Sequence, residues 1–199
     1  KVNIELTKTV INLCKKNNIK NIIYFSGLGV SKKSRSSYFI SKFNAEQLIK
    51  NSGLQYTIFR PSYILGVDDY LTKNISKQIL KKQVLIPGSG NFILQPISID
   101  DVCLCINTVL QSSKFLNKTI DLVGPKKLSF QKLIKKSVSS KIKIKKIDLE
   151  LAYQKALNNT NFEYGVEDLN ILVGNYVGNH KKLQNLCNFK FKNIESLNT

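Results

Sequence analysis

Two residues of this chain are spaced to move a proton. Tyr38 and Lys42, in the run Tyr38-Phe39-Ile40-Ser41-Lys42, stand four positions apart. On a helix that spacing puts both side chains on one face, with Cβ atoms about 5–6 Å apart. An ammonium beside a phenol lowers its pKa from the ordinary value of about 10 and stabilises tyrosinate. Such a tyrosine can pass a proton to or from a carbonyl or alcohol oxygen, and the lysine keeps donors for a ribose hydroxyl. The same pair also arises on lysine-rich helices that do no chemistry, so its setting has to decide.

That setting is a strand–helix alternation. Val2, Leu6, Val10 and Leu13 recur at helical spacing, widened by Ile4 and Ile11, which predicts a helix over 3–17 with that face buried. Asn21–Phe25 reads as a buried strand, punctuated by Ser26-Gly27-Leu28-Gly29 and followed by a polar loop over 31–37. The Tyr38/Lys42 helix runs to about Asn51 and closes at Ser52-Gly53, and Leu54–Phe59 is the next strand, stopped by Pro61. Short apolar strands alternating with helices imply a parallel sheet covered on its faces. Beyond Ile64 the pattern changes: a helix over 68–82, extended pieces at 84–91 and 92–96, and a helix capped by Ser98 with Asp100 and Asp101 in its first turn. A strand over 118–123 ends at Gly124-Pro125, and a helix over 129–138 precedes an extended run at 142–147. The last fifty or so residues read as helices with Asn-rich joins. The fold class is therefore α/β: part of a Rossmann-type parallel sheet with a smaller α+β lobe. The expected division is 1–66 for the sheet and 67–199 mainly for the lobe, with about 92–124 returning to the sheet.

Composition narrows the function classes. Thirty-one Lys and Arg against 13 Asp and Glu give a formal charge of +18, which invites a nucleic-acid reading. Only Arg35 and Arg60 are arginine, however, and phosphate and base-edge recognition recruits arginine for its planar fork. The lysines are spread along the chain, apart from Lys141-Ile-Lys-Ile-Lys-Lys146, whose alternation suggests a strand with one wet face. A solvated surface is the preferred reading and nucleic acid is not an expected partner. Cys14, Cys103, Cys105 and Cys187 lack paired spacing, which suits buried free thiols in a reducing cytoplasm. The lone His180 has no neighbouring ligands, so no metal is expected. No apolar run reaches the roughly 20 residues of a membrane span. The chain has no Met and Lys1 opens directly into a helical pattern, so its start is expected to be a cut through a larger fold.

Taken together, Ser26-Gly-Leu-Gly29, Ser36-Ser37-Tyr38, Ser41-Lys42, Ala45-Glu46, Ser52-Gly-Leu54, Thr57, Arg60-Pro61-Ser62 and Gly66 resemble the short-chain dehydrogenase/reductase superfamily in its extended and atypical branch. Gln95-Pro96-Ile97, Asp100-Asp101-Val102 and Gly124-Pro125 extend the resemblance along nearly the whole chain. The nearest groups are the epimerase/dehydratases, the NmrA-like proteins and the NAD(P)H-binding accessory subunit of respiratory complex I. The resemblance implies NAD or NADP at the carboxyl ends of the strands. Tyr38 would be the acid/base and Lys42 would hold the nicotinamide ribose. Ser26 and Gly27 would border the nicotinamide, and Pro61, Ser62, Tyr63 and Ile64 would lie beside its carboxamide.

Two departures stand against that pattern. The glycine-rich phosphate loop is absent, since Gly27 and Gly29 follow a later strand. On the order of 80 residues, a few βα units, are expected to precede Lys1. Enzymes of the branch also carry a Ser or Thr two residues beyond Ser26, where this chain has Leu28. Two functions remain open: an oxidoreductase or nucleotide-sugar epimerase/dehydratase acting on an unknown small molecule, or a non-catalytic accessory or sensor protein with a protein partner.

Overall fold

The computed structural model describes residues 2–34 and 36–197. It opens with α1 (Val2–Lys16), β1 (Asn21–Phe25), α2 (Ser37–Lys50) and β2 (Gln55–Pro61). Then come β3 (Ile64–Leu65), α3 (Tyr70–Leu80), β4 (Gln83–Pro87), β5 (Ile93–Leu94), β6 (Ile97–Ser98) and α4 (Ile99–Gln111). A short 3-10 turn leads to β7 (Lys118–Leu122), β8 (Leu128–Ser129), α5 (Phe130–Ser137) and β9 (Lys143–Ile147). Three helices finish the chain: α6 (Leu149–Asn158), α7 (Val166–Leu172) and α8 (His180–Leu186).

The main sheet is parallel throughout, in the order β1-β2-β7. Tyr24 pairs with Ile58 and Phe59 with Ile120, so β2 is central and β1 is an edge strand among the described residues. Because successive strand residues point to opposite faces, the sheet divides its side chains between two helical layers. Ile22, Tyr24 and Ile58 meet α1 and α2 around Ile11 and Ile49. Phe25, Phe59 and Ile120 meet α4 and α8 around Val102, Cys105, Leu183 and Cys187. Sheets with helices on both faces are the doubly wound α/β arrangement the strand–helix alternation predicts.

The lobe holds a second and larger core. There β4 pairs in parallel with β9, and α3, α5, α6 and α7 close over Ile75, Ile86, Phe130, Leu133 and Leu169. In β9 the lysines at 143, 145 and 146 are exposed while Ile147 is buried, as the alternation predicts. The tie between lobe and sheet is close: a Cβ on Gly124 would lie 2.0 Å from the Pro96 carbonyl, so only glycine lets these segments touch.

Two expectations need correction. The buried residues of α1 are Thr7, Ile11 and Cys14. Of the face that periodicity selects, Val2, Leu6, Val10 and Leu13 are exposed, Ile4 is half-buried and only Ile11 is buried. Periodicity identifies an apolar face but not what covers it, and α1 lies against α2 and β1 through its more polar side. The cysteines are also not all buried: Cys103 is exposed, whereas Cys105 and Cys187 are buried free thiols that share an S–H···S hydrogen bond at 3.7 Å. His180 turns its Nδ1 to the Val123 carbonyl at 2.8 Å and packs edge-on against Phe191. No helix of the described residues is long and apolar enough to cross a membrane.

Candidate functional site

The carboxyl end of β1 is where α2 delivers its polar face. Ser36 caps that helix by accepting from Phe39 N, and the chain leaves it through Asn51 and the left-handed Gly53 at φ +81°. Within the helix Tyr38, Lys42, Glu46 and Lys50 follow at intervals of four, a single stripe along one side.

Lys42 sits at the centre of this arrangement. Its ammonium donates to the carbonyl of Phe25, the last residue of β1, at 2.8 Å. It lies 4.8 Å from the centroid of the Tyr24 ring and 5.9 Å from that of Tyr38. Tyr38 is partly open to solvent, 37 % exposed. The phenol and the ammonium therefore share one face at the carboxyl edge of a parallel sheet. The expected lowering of the phenol is not what this geometry produces. Burial pushes the Tyr38 hydroxyl up, and burial pulls the Lys42 ammonium down. Desolvation by burial governs both groups, because each charged form loses water in the folded chain.

Beneath the lysine lies a buried ion pair. Arg60 of β2 donates from Nε and Nη2 to the two Glu46 oxygens at 2.8 and 2.6 Å, and Lys50 adds a longer contact at 3.5 Å. Glu46 is fully buried. Burial would raise its carboxyl, but the Arg60 hydrogen bonds, with smaller help from Ser26 and from the charges of Arg60 and Lys50, hold it below the usual range. Tyr24 responds oppositely: burial, then the neighbouring Tyr38 and Glu46 charges, push its phenol up to about 12. Ser26 faces Glu46, yet its buried hydroxyl and that of Tyr24 complete no hydrogen bond of normal geometry among the described residues.

The other residues singled out in the sequence divide into two groups. Gly27 lies beside the site, and a Cβ there would press on the Phe39 ring at 3.3 Å. Pro61 is adjacent too, because its carbonyl accepts from Leu28 N at 2.8 Å. Ser62, Tyr63 and Ile64 instead carry the chain into the lobe. Ser62 Oγ accepts from Gln95 N, the Tyr63 carbonyl accepts from Ile97 N, and Ile64 pairs with Ile97. The Leu28 side chain packs against the lobe core, so no hydroxyl stands at that position.

Residue spacing does not reveal the partners of this site. Tyr24, under the ammonium, reads simply as a strand residue. Glu46 and Arg60 pair across 14 positions, and only their places in a familiar pattern mark them. Glu167 of α7 is least expected: its carboxylate accepts from Ser36 Oγ at 2.9 Å and Ser37 Oγ at 2.5 Å, at the N-terminus of α2. The Ser37 hydrogen bond, ahead of the others, holds the Glu167 carboxyl below its usual range.

This arrangement fits one end of a nicotinamide dinucleotide. Lys42 has two further N–H donors, and Ser26 offers an orphaned hydroxyl next to them. The pyrophosphate end is different. The N-terminus of α2 is already occupied by Glu167, and no glycine-rich strand-to-helix turn occurs among the described residues.

Known proteins agree with that reading of the fold. A family model described as NAD(P)H-binding matches residues 1–102. The chain belongs to this family. Among curated relatives, "Prestalk A differentiation protein A" of Dictyostelium discoideum is 26% identical over 150 residues, 74% of this chain and 46% of that protein. The mitochondrial "NADH dehydrogenase [ubiquinone] 1 alpha subcomplex subunit 9" of Arabidopsis thaliana is 32% identical over 110 residues, 54% of this chain and 27% of that one. The chain thus spans less than half the length of either relative. Among solved structures, a nucleoside-diphosphate-sugar epimerase from Staphylococcus aureus superposes with TM-score 0.75 at 14% identity, covering 96% of this chain and 68% of that one. The chain therefore belongs to an NAD(P)H-binding family and shares the fold of that epimerase.

Proposed function

We propose that the protein of which this chain is part is an NAD(P)H-dependent oxidoreductase, with residues 1–66 supplying the nicotinamide side of the site and most of 67–199 the substrate side. The observation that carries this reading is the position of Lys42, whose ammonium is fixed at the last carbonyl of β1 between two tyrosine rings. Lys42 and Ser26 hold the ribose and border the ring, and Gly27 and Pro61 leave room beside them. A bound reduced nicotinamide supplies hydride to a carbonyl carbon. Tyr38 supplies the matching proton to the carbonyl oxygen, and its raised pKa keeps that proton in place at neutral pH. Lys42, close by and positive, stabilises the phenolate left behind.

A second reading rests on Leu28. With no hydroxyl there, and with Ser36 and Ser37 both tied to Glu167, Ser26 is the donor left beside the site to polarise a substrate oxygen, and the ribose role given to it would remove it. Removing such a donor costs about 10²–10³ in rate. The chain would then serve as a cofactor-holding accessory subunit or sensor, kept in its assembly by a protein partner.

Turnover separates the two readings. The full-length protein is assayed for NADH and NADPH consumption across a carbonyl panel, then as Tyr38→Phe. The oxidoreductase reading expects a loss of about 10²–10⁴ in kcat. Equal turnover in the variant would dismiss Tyr38 as the acid, and no turnover by the parent protein would leave the accessory reading standing.

A further inference from the structure

Where β4 and β9 begin, the lobe carries a band of lysine. The chain passes from α3 into β4 through Lys81 and Lys82, and it enters β9 through Lys141 and Lys143. The Lys143 amide donates to the Lys82 carbonyl at 3.2 Å, which brings the two segments side by side. Lys145 and Lys146 continue the band along β9. All six lysines are exposed. Glu163 pairs with Lys81 at 3.1 Å, and the other five have no ion-pair partner among the described residues. None of these residues belongs to the Lys42 site.

Two further observations mark the same place. Leu80, directly ahead of Lys81, is 84% exposed, more than any other large hydrophobic side chain among the described residues. Lys82 holds left-handed backbone at φ +57°, a conformation that L side chains rarely adopt. The other non-glycine residues in that conformation, among those described, are Asn18 and Asn117, a type that tolerates it. A lysine therefore stands where its own backbone is strained. Lysines on a strand with a free edge deter pairing with another chain, but that role does not need the two ahead of β4.

We infer that this band docks on an anionic lipid bilayer, with Leu80 entering the headgroup layer and the lysines set against the negative lipid surface. A cluster of four to eight basic residues beside an apolar side chain has the charge and shape that an acidic leaflet attracts. Charge or apolar contact alone binds a membrane weakly, and here both stand on adjacent residues. The band contains no arginine to fork onto a phosphate or a base edge and no aromatic ring to stack on a base, which disfavours nucleic acid. A lysine ammonium is a point charge, and a diffuse sheet of negative headgroups asks for nothing more directional. Docking at this band needs no cofactor, so it stands or falls separately from the oxidoreductase reading.

The test is co-sedimentation of the full-length protein with phosphatidylcholine vesicles, either alone or with about 30% phosphatidylserine. Binding is expected to the mixed vesicles only, and to be lost between about 0.05 M and 0.5 M salt as screening shortens. Lys82→Glu with Lys143→Glu should weaken it by at least about 20-fold, since each lysine near such a surface is worth about 5-fold. Leu80→Ser, which changes an exposed side chain and no charge, should weaken it by about 2–10-fold. The control is Lys181→Glu with Lys190→Glu, the same change in net charge placed on and just after α8, and it should bind within about 3-fold of the parent. Equal binding to neutral vesicles, no binding to the mixed ones, or an equal loss in the control and the band variant would each overturn the inference. So would displacement from the mixed vesicles by a duplex oligonucleotide of arbitrary sequence at equal phosphate concentration, which would make the band a nucleic-acid surface.

Discussion

The two faces of the β1-β2-β7 sheet are built on different principles. The face under α4 and α8 is a continuous apolar core in which Phe59, Phe115, Ile97, Cys105 and Leu183 are at or near complete burial. The face under α1 and α2 has a smaller apolar cluster, and beside it lies a file of charge and hydroxyl: Lys42, Glu46, Arg60, Ser26 and Tyr24. Both faces belong to the same three strands, so the difference is not one of fold. It comes from α2, which presents a polar residue at every fourth position where α4 presents apolar ones. One face secures the sheet, and the other spends some of that security on groups whose charges are held for use.

The largest test of that contrast compares one variant from each face. Arg60→Ala takes the bidentate partner from the buried Glu46 carboxylate, leaving Lys50 at 3.5 Å and the nearby Ser26, and is expected to lower stability by about 3–5 kcal/mol. Phe115→Ala opens a cavity in the apolar face at a similar cost of about 3–5 kcal/mol. Denaturant unfolding tells the two apart when each is combined with Glu46→Gln. Most of the Arg60 loss should disappear in that background, because no unpaired charge remains, while the Phe115 loss should be unchanged. Additivity in both cases would mean that the charged face is not electrostatically organised.

Acid titration sharpens the same point. The folded Glu46 carboxyl lies below its ordinary value of 4.5. Its contribution is therefore fully present above about pH 4.5 and is lost as pH falls through the lower folded value. Wild-type stability should fall more steeply below pH 4.5 than that of Glu46→Gln. Parallel curves would contradict the assignment.

A smaller effect is expected from Tyr24→Leu, which removes the ring 4.8 Å from the Lys42 ammonium. A cation–π contact of this kind is worth about 0.5–2 kcal/mol, so affinity for NAD(P)H should drop by about 2–30-fold. The opposite face supplies the control: Leu186→Ala should not change that affinity.

The sheet and its helices were legible in the chain because short apolar runs at Asn21–Phe25 and Gln55–Phe59 flank the helix with the period-four stripe Tyr38, Lys42, Glu46 and Lys50. The lobe was legible only in pieces. Its pairings, β4 with β9 and β5 with β8, join residues about 60 and 36 positions apart, and no local pattern fixes such partners. In α1 the periodicity was real but its buried side was misread, since Thr7 and Cys14 pack inward while Leu6 and Leu13 do not. At the site, Tyr38 and Lys42 announce themselves by spacing. Glu167 does not, because a carboxylate 131 residues from Ser36 carries no signal until the chain has folded. The direction of the Tyr38 shift was hidden for a related reason: spacing shows that an ammonium is near, but not how far folding removes the phenol from water.

The account turns on Lys42, and binding of the reduced cofactor by the full-length protein tests it most directly. NADH and NADPH are titrated by fluorescence against the parent protein, Lys42→Met and Lys181→Met. Losing charged hydrogen bonds worth about 1.5–3 kcal/mol should weaken the preferred cofactor by about 10–150-fold in Lys42→Met and leave Lys181→Met unchanged. Equal affinity in all three proteins would contradict the placement of a nicotinamide ribose at the end of β1.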